Sequence, residues 1–339
     1  MGCFITILIP TYNREEKLIR TLEHLNKQTD SDFSVYISDN ASDYSVKEAV
    51  DKIKDKLCYK VDIHRNIVNI GADANIANLF LFGESDWIWP IADDDLVHPN
   101  AVYKIKTYCE KYSDAAWIEF PVFDREKCMP HDDLEFTRLP DYISFLEGIY
   151  AKTDVWGNLV YLANKVYSRK KINDILPTFF QYNYTKISTS VIVLKALDMK
   201  RLGVVVNDSI IDHDPSEGVR WNALKVCLGV RTYIDIDFDL DWKTKKRLYH
   251  IVSPNGGLIK FALKQYMSNN LTIEYPGIGF DVVYYDLYKK FLPFFKKPMY
   301  LVLVAITKYP LLYRAARKLV LTITKYPLLY RAARKLVLK

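Results

Sequence analysis

Three consecutive carboxylates, Asp93, Asp94 and Asp95, follow the aromatic run Trp87-Ile88-Trp89 and stand four residues before Pro99. Adjacent carboxylates repel one another unless a cation or hydrogen-bond donors offset their charge, and an oxygen cluster of this kind suits a hard divalent ion such as Mg²⁺ or Mn²⁺. Held there, the ion neutralises the charge that develops on a departing diphosphate. A solvated acidic turn capping the helix started by Pro99 fits the tripeptide equally well.

Further chemically loaded segments stand earlier. Pro10-Thr11-Tyr12-Asn13 gives a stiff turn, and Asp39-Asn40-Ala41-Ser42-Asp43 offers Asp39 as an acceptor for a nucleoside base or ribose. Asp39 and Asp43 also make ordinary turn and N-cap residues. Arg65-Asn66 and Asn69-Ile70-Gly71 lie where a turn must lead back to a helix; Gly71 permits the tight turn, and Arg65 can meet a phosphate or an aspartate, or simply occupy a loop.

The elements needed to position these segments follow from periodicity. Phe4–Ile9, Phe33–Ser38, Tyr59–His64 and Trp87–Ile91 read as strands, and Arg14–Gln28, Ser45–Leu57 and Ala72–Phe82 as helices between them. Alternation of this kind predicts an α/β fold with a Rossmann-like, mostly parallel sheet flanked by helices, whose ligand lies beyond the carboxyl ends of the strands. Each loaded segment follows one of those strands. Farther on, Ala116–Phe123, Leu159–Tyr167 and Gly203–Val206 read as strands, and Ser188–Leu197 and Trp221–Tyr233 as helices.

Taken together, Ile9-Pro10-Thr11-Tyr12-Asn13-Arg14, Ser38–Asp43, Asn69-Ile70-Gly71 and Ala92-Asp93-Asp94-Asp95 with His98-Pro99 resemble family 2 of the inverting glycosyltransferases, which have the GT-A fold, and more loosely bacterial O-antigen transferases of the abequosyltransferase type. The resemblance covers about residues 4 to 125. It implies that Pro10, Thr11, Tyr12 and Asn13 line a nucleotide sugar, a UDP-sugar foremost. By the same resemblance Asp39 contacts the base and Asp93–Asp95 carries the metal-binding motif, with Asp95 and Asp93 as ligands. Asn40, Arg65, Gly71, Asp93 and Asp94 complete the donor site it suggests. Where the family's usual pattern has Asp, this chain has Ala92, and a subgroup with three successive Asp is the nearer match.

Inverting transfer needs a general base for the acceptor hydroxyl. The family's Glu-Asp pair should fall near Phe180–Lys186, a stretch without a carboxylate. Glu119, Asp154 and Asp212 could substitute, although each reads more readily as an ordinary surface or salt-bridged carboxylate; Asp154 is the candidate base, and His213, between Asp212 and Asp214, could serve too but reads more readily as a loop residue. The missing base leaves two alternatives open: a catalytically silent nucleotide-sugar or glycan-binding protein, and a nucleotidyltransferase. The latter lacks the usual Gly-rich basic loop after Ile9.

Charge is divided along the 339 residues. From Lys289 onward there are 13 Lys and Arg and no acid, against 34 basic and 41 acidic residues before it. This end contains an identical tandem repeat, residues 306–321 and 323–338. Wound as helices, both copies put Leu, Tyr and Val on one side and Arg and Lys on the other, the pattern of a basic amphipathic helix on an anionic membrane surface. Packing on the protein's own body competes with that reading; an aliphatic face this continuous argues against nucleic acid. The expected organisation is a catalytic domain over 1–240, with a nucleotide-sugar half (1–125) and an acceptor half (126–240), followed by a helical, membrane-associating region over 241–339. Five scattered cysteines and no cleavable leader suggest a cytoplasmic protein, peripheral on the inner membrane face, and the resemblance implies a lipid-linked saccharide acceptor in surface polysaccharide synthesis.

Overall fold

A computed structural model describes residues 3–122, 130–150, 155–183, 188–212, 233 and 235–252, all within one compact unit that runs to Asn255. The strands are β1 (Ile5–Thr11), β2 (Phe33–Asp39), β3 (Lys60–Arg65), β4 (Trp87–Pro90), β5 (Trp117–Glu119), β6 (Leu134–Phe136), β7 (Lys165–Ser168) and β8 (Gly203–Val205). Among the described residues they form one sheet in the order β3-β2-β1-β4-β7-β5-β8-β6.

The first half is built as periodicity predicts. β1 is buried on both faces through Ile5, Ile7, Leu8 and Ile9, as a central parallel strand must be. The helix α1 (Glu15–Leu25) covers it with Leu18, Leu22 and Leu25, a stripe at helical spacing, and carries Glu15 and Glu16 in its first turn, where the helix dipole favours acids. Helices α2 (Val46–Asp51), α3 (Ala72–Leu79) and α4 (Ala101–Lys111) complete the alternation. The long helix expected over Ser45–Leu57 is instead α2 and a separate 3₁₀ turn, Lys54–Lys56.

Beyond β4 the sheet is mixed. β7 runs antiparallel to both β4 and β5, and β6 antiparallel to β8, so four of the seven pairings are parallel. Two successive reversals bring β5 back into the direction of β1 and β4. Glu119, at its carboxyl end, therefore shares a sheet edge with Thr11, Asp39 and Asp93, and so does Lys165 at the start of β7.

The strand expected over Leu159–Tyr167 is only partly one. α6 (Val155–Val160) ends inside it, residues 161–164 form a loop, and β7 takes the remainder. The helix α5 (Leu139–Tyr150) precedes these; α7 (Arg169–Ile172), α8 (Leu176–Gln181), α9 (Ser188–Asp198) and α10 (Trp242–Val252) follow. Arg247 of α10 makes two hydrogen bonds to Glu147 of α5, at 2.9 and 2.6 Å, and this bonding holds the Glu147 carboxyl below its ordinary range. The helix expected over Trp221–Tyr233 and the tail with its repeat lie outside the described residues. No helix of the described residues is long and apolar enough to cross a membrane.

Candidate functional site

Thr11, the last residue of β1 and 3% exposed, joins the loops that follow β2 and β4. Its carbonyl accepts from the Asn40 backbone N–H at 2.9 Å, while its Oγ1 donates to Asp93 Oδ2 at 2.8 Å. Asp93 also accepts from Arg14 Nη1 at 3.0 Å, and its carbonyl accepts from Thr21 Oγ1 at 3.0 Å. Burial pushes the Asp93 carboxyl above its usual range, and the hydrogen bonds from Thr11 and Arg14 pull it part of the way back. Asp94 receives Arg14 at 2.9 Å and Lys17 at 2.8 Å.

Asp95 is held without a cation among the described residues. Its Oδ2 accepts from the Ala92 N–H at 2.7 Å and its Oδ1 from the Tyr161 hydroxyl at 3.1 Å. Although the residue retains a partial solvent contact, its carboxylate is packed among protein atoms, and burial pushes its pKa up to about 7, with Asp94 and Asp93 adding repulsion.

Among the described residues no three His, Cys, Asp or Glu side chains converge on one point. Mg²⁺ centres that use substrate phosphates need only one or two protein carboxylates, so this does not count against such an ion. The chemistry of Asp95 fits one: it is a fixed oxygen donor whose ionised form has no positive partner among the described residues and which a cation would stabilise. Asp93 and Asp94 fit less directly, because Arg14 and Lys17 already offset them.

The second cluster is a network of amides and one buried acid. Asp39, 1% exposed, accepts from the Ser42 N–H at 2.9 Å and from Arg65 Nη1 at 2.5 Å. Arg65 also bonds the carbonyls of Ser42 and Tyr44, so its guanidinium serves the loop and Asp39. Asn40 Oδ1 accepts from Asn66 and from the Ile70 N–H, and its Nδ2 donates to Asn69 at 2.8 Å. Asn75, 2% exposed, accepts from Ser38 Oγ and Asn66 and returns its Nδ2 to the Ser38 carbonyl. The turn closes on Gly71, whose φ of 85° suits glycine.

Pro10 pairs with Ser38 across β1 and β2. Asn13 at φ 53° and Ala41 at φ 61° bend the two loops through the left-handed region, a strain that concentrates at functional sites. Asn13 and Asp43 exchange two hydrogen bonds of 2.7 Å, which leaves Tyr12 41% exposed at the edge.

The carboxylates considered as bases are scattered. Glu119 is buried, 3.6 Å from Lys165 Nζ and within reach of the Tyr142 hydroxyl at 3.1 Å; burial raises its carboxyl and lowers the Lys165 amine. Asp212 is exposed and pairs with His98 at 3.0 Å. Asp154 and His213 lie outside the described residues.

Arg14, Lys17, Asn75 and Tyr161 received no role from sequence. Arg14 and Lys17 carried a signal: two cations at the start of α1 oppose the helix dipole and need an anionic partner nearby. Asn75 and Tyr161 carried none, being single polar residues whose partners are distant in the chain.

Residues 6–174, about half of the chain, match the family model described as "Glycosyl transferase family 2". Residues 6–174 are a family 2 glycosyltransferase domain. Abequosyltransferase RfbV of Salmonella typhimurium is 31% identical over 112 residues, 32% of this chain and 34% of that protein, so the match spans about a third of the relative's length. Two solved structures share the domain's GT-A fold. S. aureus TarS 1-349 in complex with UDP-GlcNAc has a TM-score of 0.52 at 14% identity, covering 82% of this chain and 77% of the other. The mannosyltransferase PcManGT from Pyrobaculum calidifontis, in complex with GDP-Man and Mn²⁺, has a TM-score of 0.54 at 11% identity, covering 93% and 83%.

Proposed function

We propose that this chain transfers a sugar from a nucleotide diphosphate sugar, a UDP-sugar foremost, to a hydroxyl of a lipid-linked saccharide in bacterial surface polysaccharide synthesis. The observation that carries the reading is the bond from Thr11 to Asp93, which ties the acidic loop after β4 to the strand end where Asp39 and Asn40 also sit. In this reading Pro10, Thr11, Tyr12 and Asn13 line the donor, Asp39 and Asn40 face its nucleoside, and Arg65 and Gly71 hold the loop around it. Asp95, with Asp93 beside it, would hold Mg²⁺ or Mn²⁺, which when bound neutralises charge on the departing diphosphate.

The base proposed for single-displacement, inverting transfer is Asp154, which directly precedes α6 in the chain; Glu119 is committed to Lys165 and Tyr142. The basic repeat within 241–339 is proposed to dock on the inner membrane face, where a lipid-linked acceptor resides. Pairing of Asp93 and Asp94 with Arg14 and Lys17 favours the second reading, a silent nucleotide-sugar binder.

A screen of nucleotide sugars with membrane extract and Mn²⁺ separates these. Sugar incorporation with inversion at the anomeric carbon supports the enzyme; donor binding without turnover supports the binder. New phosphate-bond formation would make the chain a nucleotidyltransferase. Unchanged flotation with anionic liposomes after deletion of 306–339 would remove the membrane role of the repeat.

A further inference from the structure

The loop between α6 and β7 is braced from several directions. Lys165 Nζ donates to the Asn158 carbonyl at 2.5 Å and to Asn164 Oδ1 at 2.8 Å, and Asn164 Nδ2 donates to the Asn158 carbonyl at 3.0 Å. The Val122 N–H bonds Asn158 Oδ1 at 2.9 Å, the Phe120 N–H bonds the Asn164 carbonyl at 2.8 Å, and Trp89 Nε1 bonds the Ala163 carbonyl at 2.8 Å. Asn158, Asn164 and Lys165 are all buried. A loop fixed in this way presents Tyr161 at a defined place, packed against the apolar core, with its hydroxyl 3.1 Å from Asp95 Oδ1.

Ala92 N–H holds the other oxygen of the same carboxylate. Two donors on opposite oxygens fix both torsions of a short acid, whereas one would leave it free to turn. Asp95 follows β4 and Tyr161 precedes β7, its antiparallel neighbour, so the contact ties together the loops at the adjoining ends of two paired strands.

We infer that Tyr161 is a positioning residue: its hydroxyl orients Asp95 to receive the divalent cation, and through the braced loop it sets the acceptor side in register with the donor. The inference rests on the metal role proposed above for Asp95. Removing an outer partner of a metal-binding carboxylate typically costs about 10- to 100-fold in metal affinity.

The test is Tyr161→Phe, which deletes only the hydroxyl. Mn²⁺ is titrated into the full chain in the presence of UDP, with Mn²⁺ and UDP without protein as the blank, and followed by its EPR signal, beside thermal melting and the KM and kcat for donor. The expected result is about tenfold weaker Mn²⁺ binding at an unchanged melting temperature, with donor KM raised more than kcat is lowered at limiting Mn²⁺. Saturating Mn²⁺ should restore most of the rate. Wild-type Mn²⁺ affinity in Tyr161→Phe, when Asp95→Asn abolishes binding, overturns the positioning role alone. Absence of Mn²⁺ binding by the wild type, or binding undisturbed by Asp95→Asn, overturns the metal reading and this inference with it.

Discussion

Replacing Thr11 by Val removes one hydroxyl and nearly nothing else, since the two side chains match in volume and Val suits a strand. The lost hydroxyl is one of two side-chain donors seen on the Asp93 carboxylate, which is 4% exposed and so cannot replace it freely with water. A hydrogen bond to a charged group contributes about 1.5–3 kcal/mol. Arg14 is half exposed and can shift toward the vacated oxygen, so the lower end, about 1.5 kcal/mol, is expected. The loss should depend on pH. Burial already raises the Asp93 pKa above 3.8, so stability from this group is full below that value and is lost as pH rises through the folded pKa. Thr11→Val raises the folded pKa further. Urea unfolding should therefore show the largest difference from wild type near neutral pH, narrowing as the solution is acidified. A difference below about 0.5 kcal/mol, the scale of an inconsequential substitution, or one that does not change with pH, would refute the reasoning.

Other perturbations test the frame around the site. Lys165→Met strands a buried Glu119 and should cost about 3–5 kcal/mol in urea unfolding, less at acid pH where Glu119 protonates, while Lys165→Met with Glu119→Leu should regain most of the loss. Gly203→Ala places a Cβ 2.1 Å from the Trp117 ring in the adjacent strand, so a loss of about 3 kcal/mol and a shift in tryptophan fluorescence are expected. Gly71→Ala meets no clash but must hold φ near 85°, so a loss of about 1 kcal/mol is expected by the same unfolding measurement, with weaker nucleotide binding by calorimetry.

Much of the fold of residues 4–111 was legible because its signals are local. Leu18, Leu22 and Leu25 repeat at helical spacing, β1 is a mostly apolar run interrupted by Thr6, and turn-forming residues mark where each strand stops. The acidic run, Thr11 and Asp39 could be named for the same reason: in a parallel sheet the residues after each strand must gather at one edge.

The rest depends on partners far apart in the chain. Thr11 and Asp93 are separated by 82 positions, and nothing at either position names the other. Arg65 was open to phosphate or aspartate until the register of β2 and β3 set it opposite Asp39. Leu159–Tyr167 reads as a strand because short apolar runs suit either state; the bonds of Lys165 to the Asn158 carbonyl and to Asn164, which hold the loop between helix and strand, are not visible in the pattern. Helix α5 is weakly signalled: Leu139, Tyr142, Ile143 and Leu146 keep helical spacing, but aromatic residues and Gly148 dilute its propensity. Glu119 looked available as a base in the sequence, and only the antiparallel β7 shows that Lys165 occupies it.

The most direct measurement is the transfer of labelled sugar from nucleotide donor to acceptor by wild type and by Asp95→Asn, at matched Mn²⁺ and with folding verified. We expect kcat/KM to fall at least about 100-fold in the variant, the scale of losing a principal electrostatic stabiliser of the departing group. Equal rates in the two proteins, with or without added metal, would contradict a role for the Asp93–Asp95 edge in sugar transfer.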